Sequence, residues 1–447
     1  MATTDTTARL GGREWGVLLV LCGAIFLEGL DVSLMGVALP SIQADLGMTA
    51  GGLQWVISAY VLGYGGFMLL GGRAADLLGR RRVFLCWLAV FVAFSGLGGL
   101  AQDGWVLILA RFVTGVSAAF LTPTGLSIIT TTFDGPRRDR ALLVYGGVGA
   151  AGFTLGMVAG GLLTAVGWRW VFFAPVALAL LVLVASVRVI PRDTGHGGGR
   201  FDVAGAATAT GGMLLLVLAI AEGAWPALVG GLALLAAFAV VERRAAEPLV
   251  RAGVLRVRGL VRVNLVALLF AGSFFGFQLV AVLYLQQVLG WSALETGLAL
   301  LVSGVDAVLA PTLTPHLVRR FGLVRVMTAG LLSATAGYAW LLRIDEGWGY
   351  WQLFPSALLV GLALTLAYGP MTIVATTGVA DAEQGLAGGL YNTSFQFGAA
   401  LGVAGVTAVA ALGDTPLEGY RLAALVPVAA GLPAALTASR GARRRSA

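Results

Sequence analysis

The sequence predicts an all-α polytopic membrane protein with fourteen transmembrane helices and both termini in the cytoplasm. Hydrophobic residues make up 58% of the 447 residues, only 11% are charged, and the mean hydropathy is +0.90. Soluble proteins carry about 25% charged residues, so this chain cannot bury its apolar surface by folding in water. Long apolar runs along the whole chain and a regular alternation of arginine-rich gaps between them complete the prediction.

The predicted spans are long enough to cross about 30 Å of hydrocarbon as helices. Closed barrels would show short alternating segments instead, and the first run is a retained helix because further spans follow it. The spans are predicted at residues 15–40, 52–72, 82–101, 105–131, 140–164, 168–190, 201–221, 225–241, 260–289, 294–317, 324–342, 351–376, 384–411 and 417–437.

Charged residues in the gaps orient these spans. Cytoplasmic loops of membrane proteins are enriched in Arg and Lys, and with a cytoplasmic N-terminus the even-numbered gaps should be basic. Those gaps and the tail hold clusters such as Arg80–Arg82, Arg319–Arg320 and Arg443–Arg445, whereas odd-numbered gaps hold acids such as Asp45 and Glu295. The +7 net charge is thus explained by orientation in a membrane, with no need for a nucleic-acid partner.

Two spans stand apart from the others. The seventh and eighth are flanked by a Gly-rich linker, Pro191–Arg200, and by the basic stretch Glu242–Arg262. Gly79 and Gly322 fall in corresponding turns of the remaining six plus six spans, which indicates two related halves. The predicted units are residues 1–192, 193–258 and 259–447.

Several functional classes are excluded by composition. All 29 basic residues are Arg, so the chain has neither the lysine of a phosphate-binding loop nor a Schiff-base lysine. The two histidines and two cysteines lie too far apart in sequence to suggest a metal site. We therefore expect no enzyme activity, no metal and no cofactor.

Ionisable residues inside the spans are the candidate functional groups, since a charge in hydrocarbon costs about 2.5–3.5 kcal/mol even on insertion scales. Glu28 and Asp31 share one face of the first helix and cannot easily both ionise, so one of them can gain and lose a proton. Arg111 in the fourth span lies at a depth that allows pairing with Asp31. The alternative is a buried ion pair that only locks two helices, or, for Glu28, a solvated residue beside a cavity.

Asp306, in the tenth predicted span, is the candidate counter-charge for a cationic substrate or a second proton site. The alternative is an interhelical hydrogen bond, for example to Gln278. Neutral residues that would line the same cavity are Tyr60, Gln278, Asn392 and Gln396.

Several motifs resemble those of the major facilitator superfamily, specifically its fourteen-span drug:proton antiporters. The segment Gly72–Arg82 is similar to the family's loop motif between helices two and three, and Leu30–Pro40 to its first-helix motif. Arg111 with Gly115 resembles the fourth-helix motif. Gly152, Gly156, Gly160 and Gly161 resemble the fifth-helix antiporter motif, although Met157 replaces its usual proline.

The resemblance implies roles for these residues. It links Asp31 and Arg111 to proton coupling, and it makes the loop motif a conformational latch. The latch residues would be Gly72, Asp76, Gly79, Arg80 and Arg81. The alternative for the arginines is that they only orient the protein by the positive-inside rule. The alternative for the helix-five glycines is that they only allow close helix packing.

We therefore expect a cell-membrane transporter that exports small amphiphilic compounds such as drugs or antibiotics in exchange for protons. One chain supplies both halves, so we expect it to act as a monomer in the lipid bilayer. A proton-coupled importer of a small metabolite is the nearest alternative. No extra soluble domain or long loop in the sequence supports a receptor or a scaffold, and no group of catalytic or metal-binding residues supports a membrane-embedded enzyme.

Overall fold

The computed structural model describes residues 12–191, 202–245, 257–305, 309–310, 313–377 and 384–440, and within these ranges the chain is helical throughout, without strands. The first helices are α1 Gly12–Leu46, α2 Ala50–Leu78, α3 Arg80–Gly99, α4 Gly104–Thr132, α5 Gly135–Val166, α6 Trp170–Val189, α7 Val203–Glu222 and α8 Trp225–Arg244. The others are α9 Arg258–Leu283, α10 Ala293–Leu300, α11 Leu313–Phe321, α12 Leu323–Leu341, α13 Tyr350–Thr376, α14 Gln384–Ala410, α15 Pro416–Ala423 and α16 Leu425–Ser439.

Every predicted span contains helix, but not all as one unbroken rod. Ten helices of the described chain are long and apolar enough to cross a membrane. The predicted span at 294–317 is instead divided into α10, a 3₁₀ turn at Leu301–Val305 and α11. Pro315 lies in the first turn of α11, where proline is tolerated because the N–H groups have no partner within the helix. The exact count of fourteen spans remains a prediction.

Consecutive long helices run in opposite directions, so the bundle has two distinct ends. At one end Arg169, which precedes α6, places Nη1 2.7 Å from Asp45 Oδ2 near the last residue of α1. At the other end Arg81, in the first turn of α3, donates from Nη2 to the carbonyl of Val187 near the end of α6. We call these the Asp45 end and the Arg80 end.

Gly79 and Gly322 occupy equivalent positions, as their place in the sequence predicts. Gly79 joins α2 to α3 with φ of 92°, and Gly322 joins α11 to α12 with φ of 85°. Both lie in the region of positive φ that side chains disfavour and glycine tolerates. The same backbone turn thus recurs in both halves.

Close glycine contacts repeat between the halves as well. A methyl group at Gly152 on α5 would overlap the main-chain oxygen of Phe26 on α1. In the second half, a methyl group at Gly402 on α14 would overlap the carbonyl of Gly272 on α9. The fifth helix of each half therefore packs backbone to backbone on the first, the geometry that small residues permit in membranes.

The two halves touch along several pairs of described helices. Gly161 on α5 lies against Leu294 on α10, Gly65 on α2 lies against Gln396 on α14, and α1 meets the end of α9. α7 packs against both α2 and α14, with the side chain of Thr210 seated on Gly66. α7 therefore fills the seam on one side of the bundle, whereas α8 is largely exposed.

We predict that Gly402→Ala destabilises the protein, because the new methyl group would collide with main-chain atoms of α9 that have no rotamer to change. Overpacking of this kind costs about 1–3 kcal/mol. Gly388→Ala is the matched control on the same helix, since its methyl group would meet no atom within 4 Å. Thermal unfolding in detergent should show a lower midpoint for Gly402→Ala alone. Equal midpoints would contradict the close α9–α14 contact.

Candidate functional site

A central cavity lies where the two halves meet. Most of its lining is apolar and comes from α1, α2, α5 and α9, including Val32, Ile57, Met157, Phe275 and Leu279. Its polar lining consists of Ser33, Tyr60, Arg111 and Gln278. An apolar wall with a few placed polar groups is typical of a small-molecule site.

Arg111 and Asp31 form a buried ion pair at the edge of this cavity, as the sequence predicted. Arg111 Nη1 lies 2.6 Å from Asp31 Oδ2, and the two side chains are 2% and 1% exposed. Arg111 Nε also donates to the carbonyl of Val56 at 3.3 Å, and its guanidinium lies 4.3 Å from the centre of the Tyr60 ring. The pair therefore joins α1, α2 and α4 at one point.

Close packing of α2 on α4 brings these groups together. A methyl group at Gly115 would overlap the main-chain oxygen of Tyr60, and one at Gly63 would lie 2.5 Å from the carbonyl of Phe112. The two backbones can approach this closely only because both positions are glycine. Arg111, one turn before Gly115, is thereby held against the backbone and ring of α2.

Glu28 makes a different set of contacts from Asp31. Tyr64 donates its hydroxyl to Glu28 Oε1 at 2.5 Å, and the Thr122 hydroxyl donates to Glu28 Oε2. The half-buried carboxyl group borders a smaller pocket inside the N-terminal half and does not line the central cavity. Sequence analysis missed Tyr64 and Thr122, because nothing in a single sequence indicates which residues of α2 and α4 face Glu28.

The other predicted cavity residues divide into three cases. Tyr60 and Gln278 line the cavity. Asn392 donates to the carbonyl of Gly388 on its own helix, and Gln396 packs on Gly65 at the α2–α14 contact, so neither belongs to that lining. Asp306 lies outside the described residues.

Comparison with known proteins establishes the family. The profile of the Major Facilitator Superfamily matches residues 21–403. The chain belongs to the major facilitator superfamily. A crystal structure of an auto-inhibited POT family peptide transporter has the same fold, with a TM-score of 0.69 at 16% identity over 95% of this chain and 97% of that one.

Two relatives in this superfamily are named for antibiotic resistance or export. The puromycin resistance protein of Streptomyces alboniger is 40% identical over 88% of this chain and 81% of its own length. The cephamycin export protein of Amycolatopsis lactamdurans is 38% identical over 89% of this chain and 85% of its own. This superfamily member is therefore a transporter of the cell membrane and not an enzyme.

The glycines of helix five divide between two neighbours in this transporter. Gly152, Gly156 and Gly160 face α1, where methyl groups would press on Phe26, Ser33 and Leu34 respectively. Gly161 faces α10 of the other half. The main-chain oxygen of Met157 also contacts α10, where a methyl group at Gly297 would overlap it. The motif therefore serves both packing within a half and contact between halves.

The predicted latch region is only partly described. Gly79 has the positive φ noted above, and Arg81 holds the end of α6 in the same half. The tight approach of α2 to α4 falls at Gly71, where a methyl group would overlap the Ala119 carbonyl, while Gly72 has room. The side chain of Asp76 lies outside the described part, and Arg80 makes contacts of its own.

A polar contact between the halves at the Asp45 end was not predicted. The turn that directly follows α9, Tyr284–Val288, is a π-helix, and it presents two glutamines to α1. Gln286 Nε2 donates to the Val37 carbonyl at 3.0 Å, and Gln287 Nε2 to Gln43 Oε1 at 3.3 Å. π-Helical turns often mark functional positions, but their hydrogen bonds leave no signal in sequence periodicity.

We predict that the substitutions Asp31→Asn and Arg111→Gln are not additive in stability. Either change alone leaves a buried charge or its hydrogen bonds without a partner, whereas the double variant removes both charges. Unfolding in detergent should give a coupling energy of about 1–3 kcal/mol across the four proteins of the cycle. Additive effects would mean that the two side chains do not stabilise each other.

Proposed function

We propose that this transporter exports small amphiphilic organic compounds in exchange for protons, by rocking its two six-helix halves, 1–192 and 259–447, about the central cavity. The observation that carries the proposal is the buried Asp31–Arg111 pair, which combines a titratable carboxylate with a wall of the cavity. Ionisable residues inside a membrane are energetically costly and usually have a function, whereas ion pairs on a protein surface often have none.

The ion pair supplies a physical route to coupling. While Asp31 is ionised, the pair ties α1 to α4 and holds Arg111 against Tyr60. A proton on Asp31 neutralises the carboxylate, leaves Arg111 without its counter-charge and removes the main attraction between these helices at this depth. A different arrangement of the helices then becomes favourable, which is how a local charge change biases a two-state element.

The cavity and the relatives support an amphiphilic organic substrate. Its apolar wall suits the hydrophobic part of such a compound, and the Gln278 amide and Tyr60 hydroxyl are placed to orient a polar group. Two relatives at 38–40% identity carry the names of puromycin resistance and cephamycin export. Antibiotics are therefore the first compounds to test.

Fourteen spans with both termini cytoplasmic would place the Asp45 end outside the cell. The contacts of Gln286 with Val37 and of Gly161 with Leu294 would then close the outer side. The latch of Gly72, Asp76, Gly79, Arg80 and Arg81 belongs to the inner side, where it would stabilise the outward-facing state. The segment 193–258 is an insertion, and its helix α7 closes the seam between α2 and α14.

Close glycine contacts on α5 support the coupled exchange of substrate for protons, because they would prevent an uncoupled leak of protons through the protein. Gly152, Gly156 and Gly160 allow α1 and α5 to touch along their backbones, and Gly161 does the same against the second half. Such packing leaves no room for a file of water through which protons would pass uncoupled. We propose that these four residues seal the transporter while the proton site is occupied.

We predict that everted membrane vesicles containing this protein accumulate puromycin, a cephamycin or ethidium when respiration acidifies their interior. Export from the cell corresponds to uptake into everted vesicles, because their membrane is inverted. Radiolabel or fluorescence uptake measures the effect, and an ionophore that collapses the proton gradient should abolish it. Vesicles that lack the protein are the control.

Right-side-out vesicles separate the two directions of transport. Accumulation there under an inward proton gradient, with none in everted vesicles, would contradict export and support an importer. Uptake in everted vesicles that persists after the gradient collapses would contradict proton coupling.

A further inference from the structure

Glu28 and the Asp31–Arg111 pair lie beside different spaces. Arg111, the partner of Asp31, lines the central cavity between the halves. Glu28 borders a small pocket inside the N-terminal half, lined by α1, α3, α4 and α5. Ala24, one turn from Glu28 toward the Arg80 end, also lines this pocket. On α1 the pocket therefore reaches one helical turn from Glu28 toward the Arg80 end, whereas the lining of the central cavity begins at Val32 on the other side.

Glu28 is held as a hydrogen-bond acceptor by two helices at once. Tyr64 on α2 donates to one carboxyl oxygen and Thr122 on α4 to the other, and the two hydroxyl oxygens lie 3.1 Å apart. Each carboxyl oxygen therefore accepts one hydrogen bond, and the carboxyl group is fixed between α2 and α4. Further titratable groups near Glu28 are Asp31 on α1, Tyr60 on α2 and Tyr145 on α5, while α3 contributes apolar Leu88 and Phe91.

The Glu28 group is linked to the Asp31 pair through neighbouring side chains. The two acids are one helical turn apart, so their β-carbons lie about 5–6 Å from each other. The Tyr60 ring, which contacts Arg111, makes an edge contact with the Tyr64 ring at 6.1 Å between centroids. Asp31 with Arg111 and Glu28 with Tyr64 and Thr122 thus form two adjacent polar layers between α1, α2 and α4.

We infer that Glu28 takes the coupling proton from Asp31 and releases it through the pocket inside the N-terminal half, so that proton and substrate travel by separate routes. The O–H bond of protonated Asp31 breaks and a new one forms on the Glu28 carboxylate. Asp31 is then ionised again beside Arg111. Glu28 passes the proton to water entering the pocket from the Arg80 end and returns to the hydrogen bonds of Tyr64 and Thr122.

This assignment rests on the proposed proton exchange and adds a division of labour. The substrate contacts the central cavity, where Gln278 lies, and the proton leaves by the pocket beside Glu28. Loss of Glu28 should therefore impair steps that move a proton and spare steps that move only substrate. A residue of the central cavity should show the opposite pattern.

The test compares two kinds of puromycin transport in proteoliposomes. Exchange of unlabelled for labelled puromycin at equal pH involves no net proton movement, whereas uptake driven by a pH gradient requires it. For Glu28→Gln we expect a loss of about 10-fold or more in gradient-driven uptake, with the rate and KM of exchange within about 2-fold of wild type. For Gln278→Leu we expect KM to rise about 5–10-fold in both assays, the cost of one hydrogen bond.

Two further variants keep the acid in place, and each removes one of the hydrogen bonds that Glu28 accepts. Thr122→Val and Tyr64→Phe should show the same pattern with a smaller loss of driven uptake, and thermal unfolding of all variants checks that they fold. Glu28→Gln that raises the KM of exchange as Gln278→Leu does would place Glu28 in the substrate site and overturn the inference. Driven uptake at the wild-type rate in Glu28→Gln would overturn it as well.

Failure of the proposed function has a different signature. In that case wild-type protein itself would exchange puromycin without responding to a pH gradient, or would not transport it at all.

Discussion

The buried pair of Asp31 and Arg111 is the interaction on which the rest of this architecture depends. Two charges that are almost fully removed from solvent are costly unless each satisfies the other, so the surrounding helices must hold them at hydrogen-bond distance. Glycines at positions 63 and 115 make this possible by letting α2 and α4 touch. The pair in turn fixes Tyr60 and the cavity wall, so one titratable carboxyl group is connected to the surface where the halves meet.

The same constraint explains why so much of the sequence is glycine and so little is charged. In lipid, helices gain little by burying apolar side chains against each other, because the lipid tails are equally apolar. Close contact between helix backbones therefore supplies much of the attraction between helices. The close glycine contacts of α5 with α1 recur between α14 and α9. The two halves are therefore related in helix packing as well as in sequence. Contacts between the halves include hydrogen bonds from two glutamines of a π-helical turn to α1. These contacts can break without exposing a charged group.

Composition and spacing were enough to predict a helical membrane protein and the equivalence of Gly79 and Gly322, and they showed that Asp31 and Arg111 lie at depths that allow pairing. Each follows from a local rule about hydrophobic length, the cost of a buried charge or backbone conformation. The partners of Glu28 and the contacts of Gln286 were not predictable, because they depend on how helices distant in sequence rotate about their axes. Gln396 shows the same limit: it is polar and lies at mid-helix, yet it packs between helices.

Proton exchange through Asp31 is the central claim, and proteoliposomes loaded with a pH-sensitive dye test it most directly. With a proton gradient imposed, puromycin is added to wild type, to Asp31→Asn and to Asp45→Asn, a matched control on the same helix whose carboxylate lies at the surface of the bundle. The account predicts that puromycin dissipates the gradient with wild type and Asp45→Asn but not with Asp31→Asn. Equal dissipation by Asp31→Asn would contradict it and leave the buried pair with a purely structural role.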